Sequence, residues 1–159
     1  MAATGFRYTG AGAMVALHER HMRSCYEAWK EAKAAGLALP KTEDPSYASL
    51  DALLRHVLRA ARGYMTWMCE VLGVPDPGIR EAPAVEDVAR GAEEYLAHVL
   101  ERWREPLRGV PEDDFGKEAK SRWGSVYCVD AMMEHAVMHP IRHEYQLRRL
   151  LAERGRKAR

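Results

Sequence analysis

Apolar side chains recur along most of this chain at intervals of three and four residues, the spacing of one face of an α-helix. Four such stretches predict four helices. The first covers about residues 12–35, the second about 47–72, the third opens at Pro83, and the fourth covers about 126–154. The predicted inward stripe of the fourth helix consists of Val129, Met132, Met133, Ala136, Leu147, Leu150 and Leu151.

The segments between these helices are rich in residues that end helices. "LALPKTEDPS" and "GVPDPG" contain the prolines and glycines that interrupt a helical pattern, and residues 109–125 form a connection long enough to cross the end of a bundle. No run of alternating apolar and polar residues predicts a strand. The pattern therefore indicates an all-α fold, a four-helix bundle formed by residues 1–159 as a single domain.

Three of the seven histidines lie in the fourth helix, in the row "HAVMHPIRHEYQ" at residues 135–146. Residues four apart on a helix point to nearly the same side, so two such histidines can present ring nitrogens to one metal ion. His135 and His143 are separated by a rise of about 12 Å, too far for both to bind one ion. His143 lies near the middle of the apolar stripe and His135 at its edge, which favours His139 with His143 as the pair.

A metal site needs a third ligand, and the pattern offers several histidines. His56 lies at the edge of the inward face of the second helix, where it can reach the interior of the bundle. His18 and His21 fall on an apolar stripe of the first helix and are candidates for lining the same pocket. A pair of histidines at this spacing also occurs by chance in core helices, so a helical interaction protein with packed histidines remains an alternative.

Composition restricts the class of protein further. The chain of 159 residues has 47% apolar and 30% charged residues and a formal net charge of +1, typical of a globular protein with no strong field to attract nucleic acid or anionic lipid. The three cysteines are far apart and include no CxxC motif, which favours a reducing compartment. No stretch approaches the length that spans a membrane. We therefore expect a cytoplasmic protein without nucleic-acid or membrane partners.

Two segments of the chain resemble a known family. "SLDALLRHVLRAARGYMTWM" at residues 49–68 and "YCVDAMMEHAVMHPIRHEYQLRRLL" at residues 127–151 are similar to the DinB/YfiT-like metalloenzyme superfamily. The resemblance implies a four-helix bundle that holds one divalent ion, zinc or nickel, with one histidine on helix two and a HxxxH pair on helix four. It assigns His56, His139 and His143 as the ligands.

The residues after the pair carry part of the same signature. In the family the second histidine is typically followed by x-Gly-Gln-hydrophobic, and here Gln146 and Leu147 match while Tyr145 replaces the glycine. Gln146 and His135 are therefore expected near the pocket, beside the ligands rather than among them. Pro140 lacks a backbone donor and is expected to kink the helix between the two ligands.

The predicted chemistry follows from the number of ligands. Three histidines leave a coordination position open for water or a thiolate, as in catalytic zinc sites. The resemblance implies hydrolases and transferases that use small thiols, so we expect a metal-dependent enzyme of one of these types acting on a small molecule. No catalytic residue can be assigned. A non-catalytic metal-binding protein is a second alternative, and a homodimer is left open.

Ferritin-like di-iron chemistry is disfavoured, because it requires Glu-x-x-His pairs and the chain has none. No serine elbow, Cys-His signature or glycine-rich phosphate loop suggests a competing chemistry.

Overall fold

The computed structural model describes residues 5–157, with side chains through residue 156. Four long helices account for most of the described chain. In chain order the elements are α1 (Thr9–Ala34), a 3-10 turn (Pro45–Tyr47), α2 (Leu50–Leu72), α3 (Val85–Trp103), a second 3-10 turn (Glu112–Gly116), β1 (Glu118–Lys120), β2 (Val126–Cys128) and α4 (Val129–Lys157). The prediction of a mostly helical protein with four helices is confirmed.

The start of α2 differs from the prediction for a local reason. Residues near Tyr47 were expected to form its first turn, but they form the separate 3-10 turn, where the Asp44 carboxylate accepts a hydrogen bond from the backbone N–H of Ser46. A second cap follows, because the Ser49 hydroxyl accepts a hydrogen bond from the N–H of Ala52 at 3.0 Å. The helix therefore begins after Ser49.

The long connection between α3 and α4 contains a small β-hairpin that the pattern did not predict. Glu118–Lys120 pairs antiparallel with Val126–Cys128. The N–H of Ser121 donates to the Ser125 carbonyl at 2.7 Å, and Gly124 takes a φ of 97° at the turn. The expectation of no strand was wrong because strands of three residues are too short to show a period of two.

The core lies between the helices and contains three buried tryptophans. The indole N–H of each of the three donates to a backbone carbonyl. α1 packs chiefly on α4, and α2 packs on both α3 and α4. The buried indoles connect different elements: Trp29 of α1 donates to Leu50, Trp103 of α3 to Ala61, and Trp67 of α2 to Lys120 of the hairpin. Because α2 packs against α4, it brings the face that carries His56 beside the histidine row.

Across residues 5–157, no helix combines the length and the apolar character needed to cross a bilayer.

Candidate metal centre

Three histidines from two helices converge at the contact between α2 and α4. The Nε2 atom of His139 lies 3.0 Å from Nε2 of His56 and 3.3 Å from Nε2 of His143. One ligand atom from each residue lies within 4.8 Å of the other two. Two nitrogens bound to tetrahedral zinc at 2.0–2.1 Å are separated by about 3.3 Å. The structure thus brings together the three histidines to which the family resemblance pointed, close enough to bind one metal ion.

Burial keeps these imidazoles neutral. His139 is 4% exposed and His143 is 1% exposed, whereas His56 is half-buried. Desolvation, followed by the charges of the neighbouring histidines, lowers the pKa of His139 to about 2. Desolvation also lowers the pKa of His143 to about 4 and that of His56 below its ordinary value. Neutral rings offer the lone pairs that a metal ion needs.

Gln146 fixes which nitrogen of His143 carries the proton. Its side-chain Oε1 lies 2.9 Å from Nδ1 of His143. An amide oxygen only accepts hydrogen bonds, so Nδ1 carries the proton and donates it, and Nε2 keeps its lone pair directed at the cluster. A hydrogen bond of this kind from the outer nitrogen is typical of histidines that bind metal.

The possible proton positions on the three imidazoles decide whether the cluster suits a metal ion. His143 Nε2 carries no proton, so His139 Nε2 can satisfy only one of its two close neighbours by donating a hydrogen bond. Whichever way the protons are placed, one of the two close nitrogen pairs in this buried cluster is left without a hydrogen bond. A divalent cation at the centre satisfies all three nitrogens at once, so the residues fit a metal ion.

Pro140 does not spoil this arrangement. The helix continues through it from Val129 to Lys157, and the imidazoles on either side still approach within 3.3 Å. Tyr145 is exposed at the surface, so its side chain lies away from the core.

His135 lies beside the cluster, surrounded by aromatic rings. Its ring stacks on Trp123 with centroids 5.5 Å apart, meets Tyr64 at 5.3 Å and Tyr127 at 5.7 Å, and lies 6.4 Å from the ring of His139. It does not belong to the group of three. Trp123 comes from the tip of the β-hairpin, a contact that no helical periodicity could indicate.

His18 and His21 are not brought to the cluster. The His18 ring is buried and stacks on Trp103 of α3, with centroids 3.6 Å apart. His21 is half-buried on α1 and does not belong to the group of three. Among the described residues neither histidine joins the group of three, and their place beside a metal pocket stays a prediction.

Two cavities lie near the histidines, and one of them is lined by a candidate ligand. One, of about 370 Å³, is lined by His56, Tyr64 and the hairpin residue Trp123. The other, of about 350 Å³, is lined by Gln146 and by Tyr47, whose ring centroid lies 6.0 Å from that of His143. The sequence analysis missed Tyr47 and Trp123 as site residues: Trp123 lies in the hairpin that was not predicted, and Tyr47 lies in a 3-10 turn that was predicted as the start of the second helix.

Comparison with known proteins adds no relative: no family model, no curated protein and no solved structure matches this chain. The geometry of the three histidines therefore carries the functional argument.

Proposed function

We propose that this protein is a metal-dependent enzyme of the DinB/YfiT-like type that acts on a small molecule. His56, His139 and His143 hold one divalent ion, zinc or nickel. The observation that carries this proposal is the convergence of three Nε2 atoms from two helices, with the outer nitrogen of His143 bonded to Gln146. The chemistry is that of a thiol S-transferase or a hydrolase.

The number of ligands supports catalysis over a structural site. Structural zinc sites use four protein ligands, whereas the group formed by the described residues offers three. His56 is half-buried and lines a cavity, so a small molecule can approach the ion from this side. An ion bound there supplies a Lewis acid that lowers the pKa of a coordinated group.

The chain's own residues have defined tasks around that ion. The three histidines fix its position, and Gln146 orients His143. Burial raises the pKa of the Tyr64 phenol to about 12, so it stays protonated and can donate a hydrogen bond into the cavity it shares with His56. Glu144 is bound to Arg148 and Ser24, which leaves it unsuited to act as a general base.

The two cavities favour the transferase. A transferase binds two substrates, and the metal centre has a cavity beside His56 and another beside Gln146. Burial raises the pKa of Cys25 and of Cys69 to about 12, so these residues stay as thiols. The third cysteine, Cys128, lines neither cavity, so a thiolate would come from a separate low-molecular-weight thiol.

Elemental analysis tests the proposal. Protein purified without a histidine tag and without added metal is expected to carry about one divalent ion per chain, and a chelator should lower its melting temperature. In the cobalt-loaded protein, a small thiol should change the visible spectrum. Purified protein that contains no metal and shows no binding of zinc or nickel in calorimetry would rule out a metal-dependent enzyme. A cobalt spectrum that no thiol alters would favour the hydrolase.

A further inference from the structure

The cavity beside His56 is lined by more cationic than anionic side chains. Arginines 59, 62 and 122 line it, together with a single carboxylate, Glu81. A cavity wall of this kind attracts anions and repels cations, since the low-dielectric protein on its sides focuses the field.

Only one of the three arginines is fully engaged. Arg62 forms an ion pair with Glu81 at 3.0 Å and its Nε donates to the Ile79 carbonyl at 2.9 Å. Arg122 lies 3.3 Å from Glu70, but both side chains are more than half exposed, so this pair is weak. Arg59 is exposed and forms no ion pair with any of the residues that the structure describes. The cavity therefore keeps a net positive charge.

The remaining wall includes three aromatic side chains, Tyr64, Trp67 and Trp123. Trp67 is buried, and its indole N–H is already bonded to Lys120, so it presents ring surface. Trp123 of the hairpin is 50% exposed, and its ring lies edge-on to Tyr64 with centroids 6.0 Å apart. Aromatic faces of this kind pack on flat apolar groups. An aromatic cage alone would also suit an organic cation, but the arginines exclude that class.

The second cavity offers a contrast. Its walls beside Gln146 are mostly apolar, with Leu39, Leu53 and Leu147 among them. Its one arginine, Arg149, is paired with Glu153 at 3.5 Å. The two sides of the centre therefore differ in the chemistry that they can accept: one is cationic and aromatic, the other apolar.

We propose that the cavity lined by His56 and Arg59 is the binding site for a small carboxylate with a flat apolar body. The carboxylate binds at Arg59 and Arg122, and the flat body packs on Trp67 and Trp123, next to the metal centre. The role of this ligand as substrate rests on the proposed metal-dependent function. The β-hairpin supplies Arg122 and Trp123, so it determines specificity.

Benzoate and its uncharged analogue benzamide test this site. Zinc-loaded protein is titrated with each compound, and binding is followed by tryptophan fluorescence and calorimetry. Benzoate is expected to bind at least tenfold more tightly than benzamide. Arg59→Gln should weaken benzoate binding about tenfold, because a charge-assisted hydrogen bond is lost. The matched control is Arg20→Gln on α1, which removes another exposed arginine that does not line the cavity and should leave binding unchanged.

Equal affinity for the two compounds would overturn the proposal, and so would an Arg59→Gln variant that binds benzoate as well as Arg20→Gln does. Zinc titration of the same variants keeps the two proposals distinguishable. One zinc per chain with no effect of Arg59→Gln refutes the carboxylate site alone. A chain that takes up no zinc but still discriminates benzoate through Arg59 refutes the metal-dependent function and leaves the anion site standing.

Discussion

His18 and His143 are each 1% exposed to solvent, and both lie on the inward face of a long helix. Their surroundings differ completely. Both nitrogens of His18 lack a hydrogen-bond partner among the described residues, and its ring lies flat on Trp103 with 10° between the planes. His143 donates from Nδ1 to Gln146 and directs Nε2 at two further histidines. Burial of an imidazole is common to both, so it is convergence that marks a site.

The two histidines also differ in how the free-energy cost of burying the imidazole is offset. A buried polar ring without a hydrogen bond costs about 1–3 kcal/mol, of which an aromatic stack returns about 0.5–1.5 kcal/mol. At His18 only the packing against Trp103 offsets this cost. In the cluster, a bound ion would offset the cost for three rings together, and its binding free energy would add to the stability of the fold.

The largest expected effect is on metal binding. We expect His139→Ala and His143→Ala each to abolish stoichiometric zinc binding, because each removes one of three ligands. His18→Phe, which keeps an aromatic ring against Trp103, should still bind one zinc per chain. Isothermal titration of the three variants measures this directly. Loss of zinc in His18→Phe with retention in His143→Ala would reverse the comparison.

The next effect concerns pH. Desolvation lowers the pKa of His18 from its ordinary 6.5 to about 3. Between these values the unfolded chain binds a proton at this residue and the folded chain does not, so the contribution of His18 to stability falls as the pH falls through this window. The free energy of unfolding should therefore lose about 1.4 kcal/mol per pH unit that the His18→Phe variant does not lose.

Urea unfolding of the metal-free protein at pH 7.5, 6.0 and 5.0 checks this difference. His139 and His143 titrate in both proteins, so their contribution cancels when the two profiles are subtracted. Parallel profiles for wild type and His18→Phe would show that the buried ring does not resist protonation.

His18 and His143 also show which features of the site could be predicted from the sequence and which could not. Helical periodicity, which is local information, places His143 near the middle of an inward face, His139 beside it and His56 at the edge of another. The same periodicity places His18 on an inward face and cannot tell whether the ring opposite belongs to a histidine or to Trp103. That depends on which helix packs against α1, a property of the whole fold.

The residues that sequence reasoning missed belong to irregular segments. Trp123 reaches His135 only because Glu118–Lys120 pairs with Val126–Cys128, and strands of this length leave no pattern. Tyr47 reaches His143 because Asp44 caps a separate turn instead of extending α2. The three clustered histidines lie on long helices, where periodicity restricts the candidates, whereas the cavity walls come partly from segments without a pattern.

A smaller effect tests the hydrogen bond that distinguishes His143 from His18. Gln146→Leu removes the acceptor of the Nδ1 proton, and we expect zinc affinity to fall 10- to 100-fold with one site per chain retained. Gln146→Glu keeps an acceptor oxygen at the same place and should restore most of the affinity. Competition with a zinc-binding dye measures both. Equal loss in the two variants would indicate that Gln146 acts by packing.

The smallest expected effect concerns His135, the histidine nearest to the cluster that does not join it. Its ring is 6.4 Å from that of His139 and is stacked on Trp123, and it lies eight residues from His143, a rise of about 12 Å. We expect His135→Ala to bind one zinc per chain with an affinity within about threefold of wild type, since it removes a neighbour of the ligands and not a ligand. The stack on Trp123 is lost, so the fluorescence of the apo-protein should change even though zinc binding does not. Zinc titration with the fluorescence recorded in parallel separates the two effects. If His135→Ala loses the metal while His143→Ala keeps it, the ion is held by His135 and His139 instead, and His143 would then resemble His18 as a buried ring without a ligand role.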